Sequence, residues 1–182
     1  MEKKDKHMEF LDVYNLNKEK TGRIVSRENV FENILQEERI LLVHVCIFNA
    51  EGKMLLQRRQ LTKDRYPGLW DVSAGGFVKA GEVSAEAVSR EISEELGLIF
   101  EQKNIYFVYC EPFGPVLDDF YAVFSDVGLD MLKLQQQEVM GAEWYEREKV
   151  VEMINNGTMV DYPVPLIERM FSFAEGQRYI SD

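Results

Sequence analysis

Apolar residues fall in short runs along the chain, separated by polar turns. Residues 9–14 predict a first strand, and a polar turn over 15–22 follows it. Residues 40–48 are apolar throughout except for His44, which reads as a satisfied core histidine. Across the turn signal Asn49-Ala50-Glu51-Gly52, residues 54–57 continue as a strand, which predicts a hairpin buried on both faces. Residues 60–68 form a polar, charged loop, and 69–72 a short extended piece. In Ala74-Gly75-Gly76-Phe77, two adjacent glycines allow a bend or the close approach of a ligand.

The period then changes. Ala85, Val88, Ile92 and Leu96 share one face of a helix over 84–96, with Ser84 as its expected cap and Gly97 suited to the left-handed position beyond its end. Further strands are predicted over 105–110, 120–124 and 139–145, with Gln135-Gln136-Gln137 in a loop. Helices are predicted over 146–155 and 163–174, the second with a proline in its first turn. Strands and helices interleave without strict alternation, so the predicted class is α+β, a mixed sheet flanked by helices.

Length and charge narrow the partners. A chain of 182 residues is the size of one domain and needs no disulfide or metal staple. The 21 basic and 32 acidic residues leave a net charge of −11, which disfavours non-specific nucleic-acid binding. No apolar run approaches ~20 residues, and the first seven residues lack the apolar core of a secretory signal. Cys46 and Cys110 both sit in apolar runs and read as reduced thiols of a cytoplasmic protein. Two cysteines and two histidines without ligand spacing give no zinc pattern.

The chemistry is concentrated in 76–98. Glu91 and Glu95 stand four apart on one helix, and Glu94 joins the same edge from three positions away. Like charges so spaced repel, and no lysine is interleaved. A shared cation explains the arrangement, and oxygen-only ligands favour Mg²⁺, with Mn²⁺ as a substitute. Arg90 can orient a carboxylate through a bidentate contact.

The pattern Gly76-x5-Glu82-x7-Arg90-Glu91-Ile92-x-Glu94-Glu95-x-Gly97-Leu98 resembles the complete box of the Nudix superfamily. The resemblance implies an α/β/α sandwich with a mixed central sheet, its motif forming a loop-helix-loop. It implies one Nudix domain over 1–182, with 1–8 as a flexible tail. It also implies Mg²⁺-dependent cleavage of a nucleoside diphosphate-X type substrate by water attack at phosphorus. Carried over by position, Glu91, Glu94 and Glu95 match the metal-binding carboxylates, and Gly75 matches a residue whose carbonyl can join the metal shell. Arg90 matches the arginine that orients the glutamates, and Glu82 a carboxylate that is often structural or water-mediated. The base is Glu94 or Glu91, with Asp118, Asp119 and Glu138 as alternatives further along the chain. Arg58, Arg59 and Lys63 are candidates for the substrate phosphates, with Lys79 a weaker one. Phe113, Tyr121 and Phe171 hint at a partly hydrophobic pocket or at plain core packing. A homodimer is expected by analogy alone.

The stretch from Leu55 through Gly76 is similar to the Nudix branch of isopentenyl-diphosphate isomerases. Isomerases of that branch carry a cysteine one position before the motif glycine and a metal-binding histidine just after it. Gly75 and Phe77 occupy those positions here, and neither side chain can transfer a proton. The expectation is therefore a hydrolase. The alternatives are an isomerase-like protein and a non-catalytic diphosphate-binding module.

Overall fold

The computed structural model describes residues 8–178. Apart from Met8, the expected tail over 1–8 lies outside them. A hairpin opens the fold. Its strands are β1 (Phe10–Tyr14) and β2 (Lys20–Ser26), paired antiparallel. The sequence reading missed β2, because five of its seven residues are exposed and it carries no alternation. A 3₁₀ turn at Arg27–Asn29 and a one-turn helix, α1 (Val30–Asn33), follow.

The main sheet is built on β3 (Ile40–Phe48). Its expected hairpin with β4 (Met54–Arg59) is only two residue pairs long. The strands then diverge, and other partners take over. Beyond the divergence β3 pairs with β6 (Ala74–Phe77), while β4 pairs with β5 (Trp70–Asp71) and β9 (Val139–Tyr145). On its other side β3 runs parallel to β8 (Val116–Phe124), which pairs antiparallel with β7 (Ile105–Phe113). The sheet is therefore mixed, with seven strands.

Alternation along β3 gives each face its own core. Val43, Val45 and Ile47 pack beneath α2 (Ser84–Leu96) through Val88, Ile92 and Leu96. Cys46 and Phe48 point the other way, against Val150 and Met153 of α3 (Arg147–Asn155) and Ile167 and Phe171 of α4 (Val164–Arg178). Helices on both faces make the α/β/α sandwich. A third, smaller core seats the hairpin and α1 through Leu11, Val13, Val25 and Val30 against Ile40.

One local expectation is corrected. Ser84 does not cap α2. Val83 takes the cap position and its N–H donates to Glu86 at 3.0 Å. The Ser84 hydroxyl turns inward and donates to Asp119 at 2.6 Å. Gly97 does end the helix in the left-handed conformation, at φ 70°. Both thiols are free, Cys46 buried and Cys110 half-buried.

Candidate active site

A cavity of about 520 Å³ opens between the box and the ends of β3, β4 and β8. Helix α2 presents its acidic edge to it. Glu91 and Glu95 are 9% and 7% exposed, whereas Glu94 stands at the mouth. Arg90 holds the group together. Its Nε and Nη2 donate to the two oxygens of Glu82 at 2.8 and 2.9 Å, and Nη2 also reaches the carbonyl of Phe77 at 2.9 Å. Its Nη1 donates to Glu91 at 2.6 Å and lies 3.4 Å from Glu94. Glu95 accepts from Gln57 Nε2 at 3.0 Å and from the Gly75 amide at 3.1 Å.

These carboxylates lack positive charge. Burial, opposed by Arg90 and reinforced by Glu94, pushes Glu91 up to about 7. Burial and the neighbouring Glu91 raise Glu95 well above the usual carboxylate range. Glu82 goes the other way, since the Arg90 hydrogen bonds overcome its burial and lower it. One arginine thus neutralises Glu82 and part of Glu91, and leaves Glu95 without a cationic partner among the contacts described. The donor set of Glu91, Glu94 and Glu95 is all oxygen and suits a hard divalent cation. Among the described residues, no three acidic, imidazole or thiol side chains converge as a ready-made metal cage.

The glycines explain themselves here. A Cβ on Gly76 would overlap the Glu91 carboxylate, and one on Gly75 would lie 2.7 Å from the Val43 carbonyl oxygen. Gly75 therefore lies flat against β3, opposite His44 in the register.

The opposite wall contains groups that sequence reasoning placed elsewhere. His44 lines the cavity rather than the core: it stands on the face of β3 opposite Val43 and Val45, beyond the buried Cys46 and Phe48. Its ring stacks on Phe120 at 4.7 Å. The Tyr162 hydroxyl donates its single proton to Asp71 at 2.6 Å, and Asp71 also pairs with Arg59 at 2.8 Å. The contact of 3.1 Å between Tyr162 Oη and His44 Nδ1 must then be donated by the histidine. Nδ1 then carries hydrogen, and Nε2 faces Asp118 at 3.2 Å without an aligned hydrogen bond. Only a long-range contact between 44 and 162 reveals this chain, so no local signal in the sequence could have found it.

The basic candidates separate. Strand alternation turns Arg58 away from the cavity, where it donates to the Gly68 carbonyl at 3.1 Å. Arg59 and Lys63 do line the cavity, the latter paired with Glu138. Lys79 lies 3.1 Å from Glu9 and 4.0 Å from Glu94. Among the alternative bases, Asp118 and Glu138 line the cavity. Asp119 does not. It is fully buried on the other side of the strand, held by Lys18 at 2.5 Å. Phe113 lines the cavity, whereas Tyr121 and Phe171 are core residues.

Comparison with known proteins fits this geometry. The family model for the NUDIX domain matches residues 38–165. The chain is 36% identical over 155 residues to an uncharacterized Nudix hydrolase of Listeria monocytogenes, covering 85% of this chain and 90% of that one. It is 36% identical over 114 residues to an isopentenyl-diphosphate Delta-isomerase of Escherichia coli, covering 60% and 63%. A crystal structure of a Deinococcus radiodurans protein superposes with a TM-score of 0.76 at 23% identity, covering 89% of this chain and 99% of that one, a likeness of fold. With the box, the sandwich and the family model in agreement, the chain belongs to the Nudix hydrolase family.

Proposed function

We propose that this protein is a divalent-cation-dependent pyrophosphohydrolase of one domain. Mg²⁺ is its working ion, and it cleaves the diphosphate linkage of a nucleoside diphosphate-X type substrate. The observation that carries the reading is the helix edge of Glu91, Glu94 and Glu95, two of them buried and short of positive charge, facing one cavity. Enzymes of this family generally use divalent metal ions.

Glu91, Glu94 and Glu95, with the Gly75 carbonyl, would hold the ion. When bound, it would supply neutralisation of the diphosphate and a lowered pKa for a water. The chain's own groups do the rest. Arg90 Nη1 holds Glu91 at 2.6 Å and lies 3.4 Å from the more exposed Glu94. Arg59 and Lys63 bring positive charge to the phosphates. Glu94 or Glu91 takes the proton of the attacking water, a contribution of about 10²–10⁴-fold. Water attacks one phosphorus, and the other phosphate leaves with the bridging oxygen.

Neither Cys46 nor Cys110 lines this cavity. Gly75 and Phe77 offer no proton-transferring side chain. Cys46 is fully buried on the α3/α4 side of the sheet, and burial raises its thiol. Cys110 is pushed up to about 12 by burial and Asp119. No helix of the described residues is long and apolar enough to cross a membrane, and the reading takes the protein as cytoplasmic. The test is chromatography of the phosphorylated fragments released with Mg²⁺ or Mn²⁺ from nucleoside phosphates, nucleotide sugars, dinucleoside polyphosphates and isopentenyl diphosphate, with Glu95→Gln as the blank. Metal-dependent release from one class, absent in the blank, is expected. Isomerisation of isopentenyl diphosphate with no release from any substrate would overturn the reading.

A further inference from the structure

One wall of the cavity lies outside the family match. The matched residues begin at 38, and Arg27 and Phe31 precede them. Val30 is anchored in the small third core at 2% exposure, and its neighbour Phe31 is left 46% exposed at the cavity rim. The Phe31 ring lies 6.4 Å from Phe77, and the Arg27 guanidinium lies 5.1 Å over the Phe77 ring. From the opposite side, loop 60–68 brings Arg65 to 5.5 Å over the Phe31 ring.

This loop is held in place. The Arg65 carbonyl accepts from Arg59 Nε and Nη2 at 3.3 and 3.2 Å. The Tyr66 side chain is hydrogen-bonded to Asp161. Tyr66 itself adopts φ 52°, a conformation an aromatic residue keeps only where its surroundings impose it.

The four side chains that meet at this rim are two phenyl rings and two guanidinium planes. Such surfaces attract another flat π system through stacking and cation–π contact, and a guanidinium edge can also donate to ring heteroatoms. An isoprenoid chain would strip water from both guanidinium groups and return no hydrogen bond. We propose that Phe31 and Arg65 form a stacking seat for a nucleobase-type ring. On this proposal the segment before the matched domain, together with loop 60–68, selects the diphosphate, while the box cleaves it. The proposal rests on the diphosphate reading above and names the residues that recognise the nucleoside end of that substrate.

The experiment is equilibrium binding, with Mg²⁺ and with Mn²⁺, to the full chain. The probes are α,β-methylene nucleoside diphosphates, methylenediphosphonate and isopentenyl diphosphate. Phe31→Ala should weaken the nucleoside probe roughly 5- to 150-fold, the range for loss of one stacked base. It should leave methylenediphosphonate unchanged, which also shows that the variant is folded. Phe31→Trp should restore the nucleoside probe. The seat is overturned if Phe31→Ala weakens every probe alike, weakens none, or releases isopentenyl diphosphate instead. If methylenediphosphonate fails to bind even the wild type, the diphosphate reading itself falls. If it binds and Phe31 is indifferent, the seat alone falls.

Discussion

Gly76 is glycine because Glu91 occupies the place where its Cβ would stand. The first residue of the box and a carboxylate on its helix are thus in steric register across the cavity floor. Gly76→Ala should push Glu91 away from Arg90 without disturbing the sheet, since the displaced atoms end a side chain. A misplacement of about 1 Å at a reacting centre costs about 10²-fold in rate. We expect Gly76→Ala to lower kcat/KM by that order and to leave the folded state intact by circular dichroism. A variant with wild-type kcat/KM would show that the register is not needed for catalysis.

The buried acids set a pH dependence in the metal-free protein. Glu91 moves from 4.5 unfolded to about 7 folded, so the folded state binds more protons between those values. Its stability must then fall as pH rises through that window. The shift corresponds to about 3 kcal/mol from Glu91, as an order of magnitude. Glu95, raised for the same reason, adds in the same direction. With a chelator present, Glu91→Gln and Glu95→Gln should each gain stability over the wild type at pH 8 and show little gain at pH 4.5. Adding Mg²⁺ should close the gap by stabilising the wild type. Parallel denaturation curves for wild type and variants across that range would remove the charge-deficit argument.

The opposite wall makes a structural prediction. Tyr162 joins Asp71 to His44 through its hydroxyl, from a half-buried position in the cavity wall. Tyr162→Phe keeps the ring contact with His44 and removes both hydrogen bonds. A bond to a charged group is worth about 1.5–3 kcal/mol, which corresponds to a fall in Tm of several degrees for a chain of this size. An unchanged Tm would mean that Asp71 is satisfied by Arg59 and the Val72 amide alone.

Strong periodicity made most of the frame legible. Strands β3 and β9 and helix α2 lie where the apolar pattern places them, because each buries a face that has no other use. The exposed β2 and the one-turn α1 left no such trace, so the hairpin wall of the cavity went unread. The box announced Arg90, Glu91, Glu94 and Glu95 through spacing alone. It could not announce His44, Tyr162 or Asp71, whose meeting depends on where β3 exchanges one partner for another. Nor could it separate Asp118 from Asp119, adjacent residues sent by the strand pleat to opposite faces.

The thiols test the choice between hydrolysis and proton transfer to carbon. Cys46 is packed among Phe48, Met54 and Phe171 on the helix-covered face away from α2, so no substrate in the cavity meets it. Cys110 hydrogen-bonds to Asp119, which is itself held by Lys18 and Ser84. An acid catalyst must reach the reacting carbon and release its proton near neutral pH, and a thiol pushed up to about 12 is poorly suited to that exchange. Cys46→Ser and Cys110→Ser should therefore retain the diphosphate-cleaving activity. Cys46→Ser should be the less stable of the two, because it puts a hydroxyl among apolar side chains. Selective loss of activity in either variant, with its thermal midpoint unchanged, would give a thiol a chemical role and reopen the isomerase assignment.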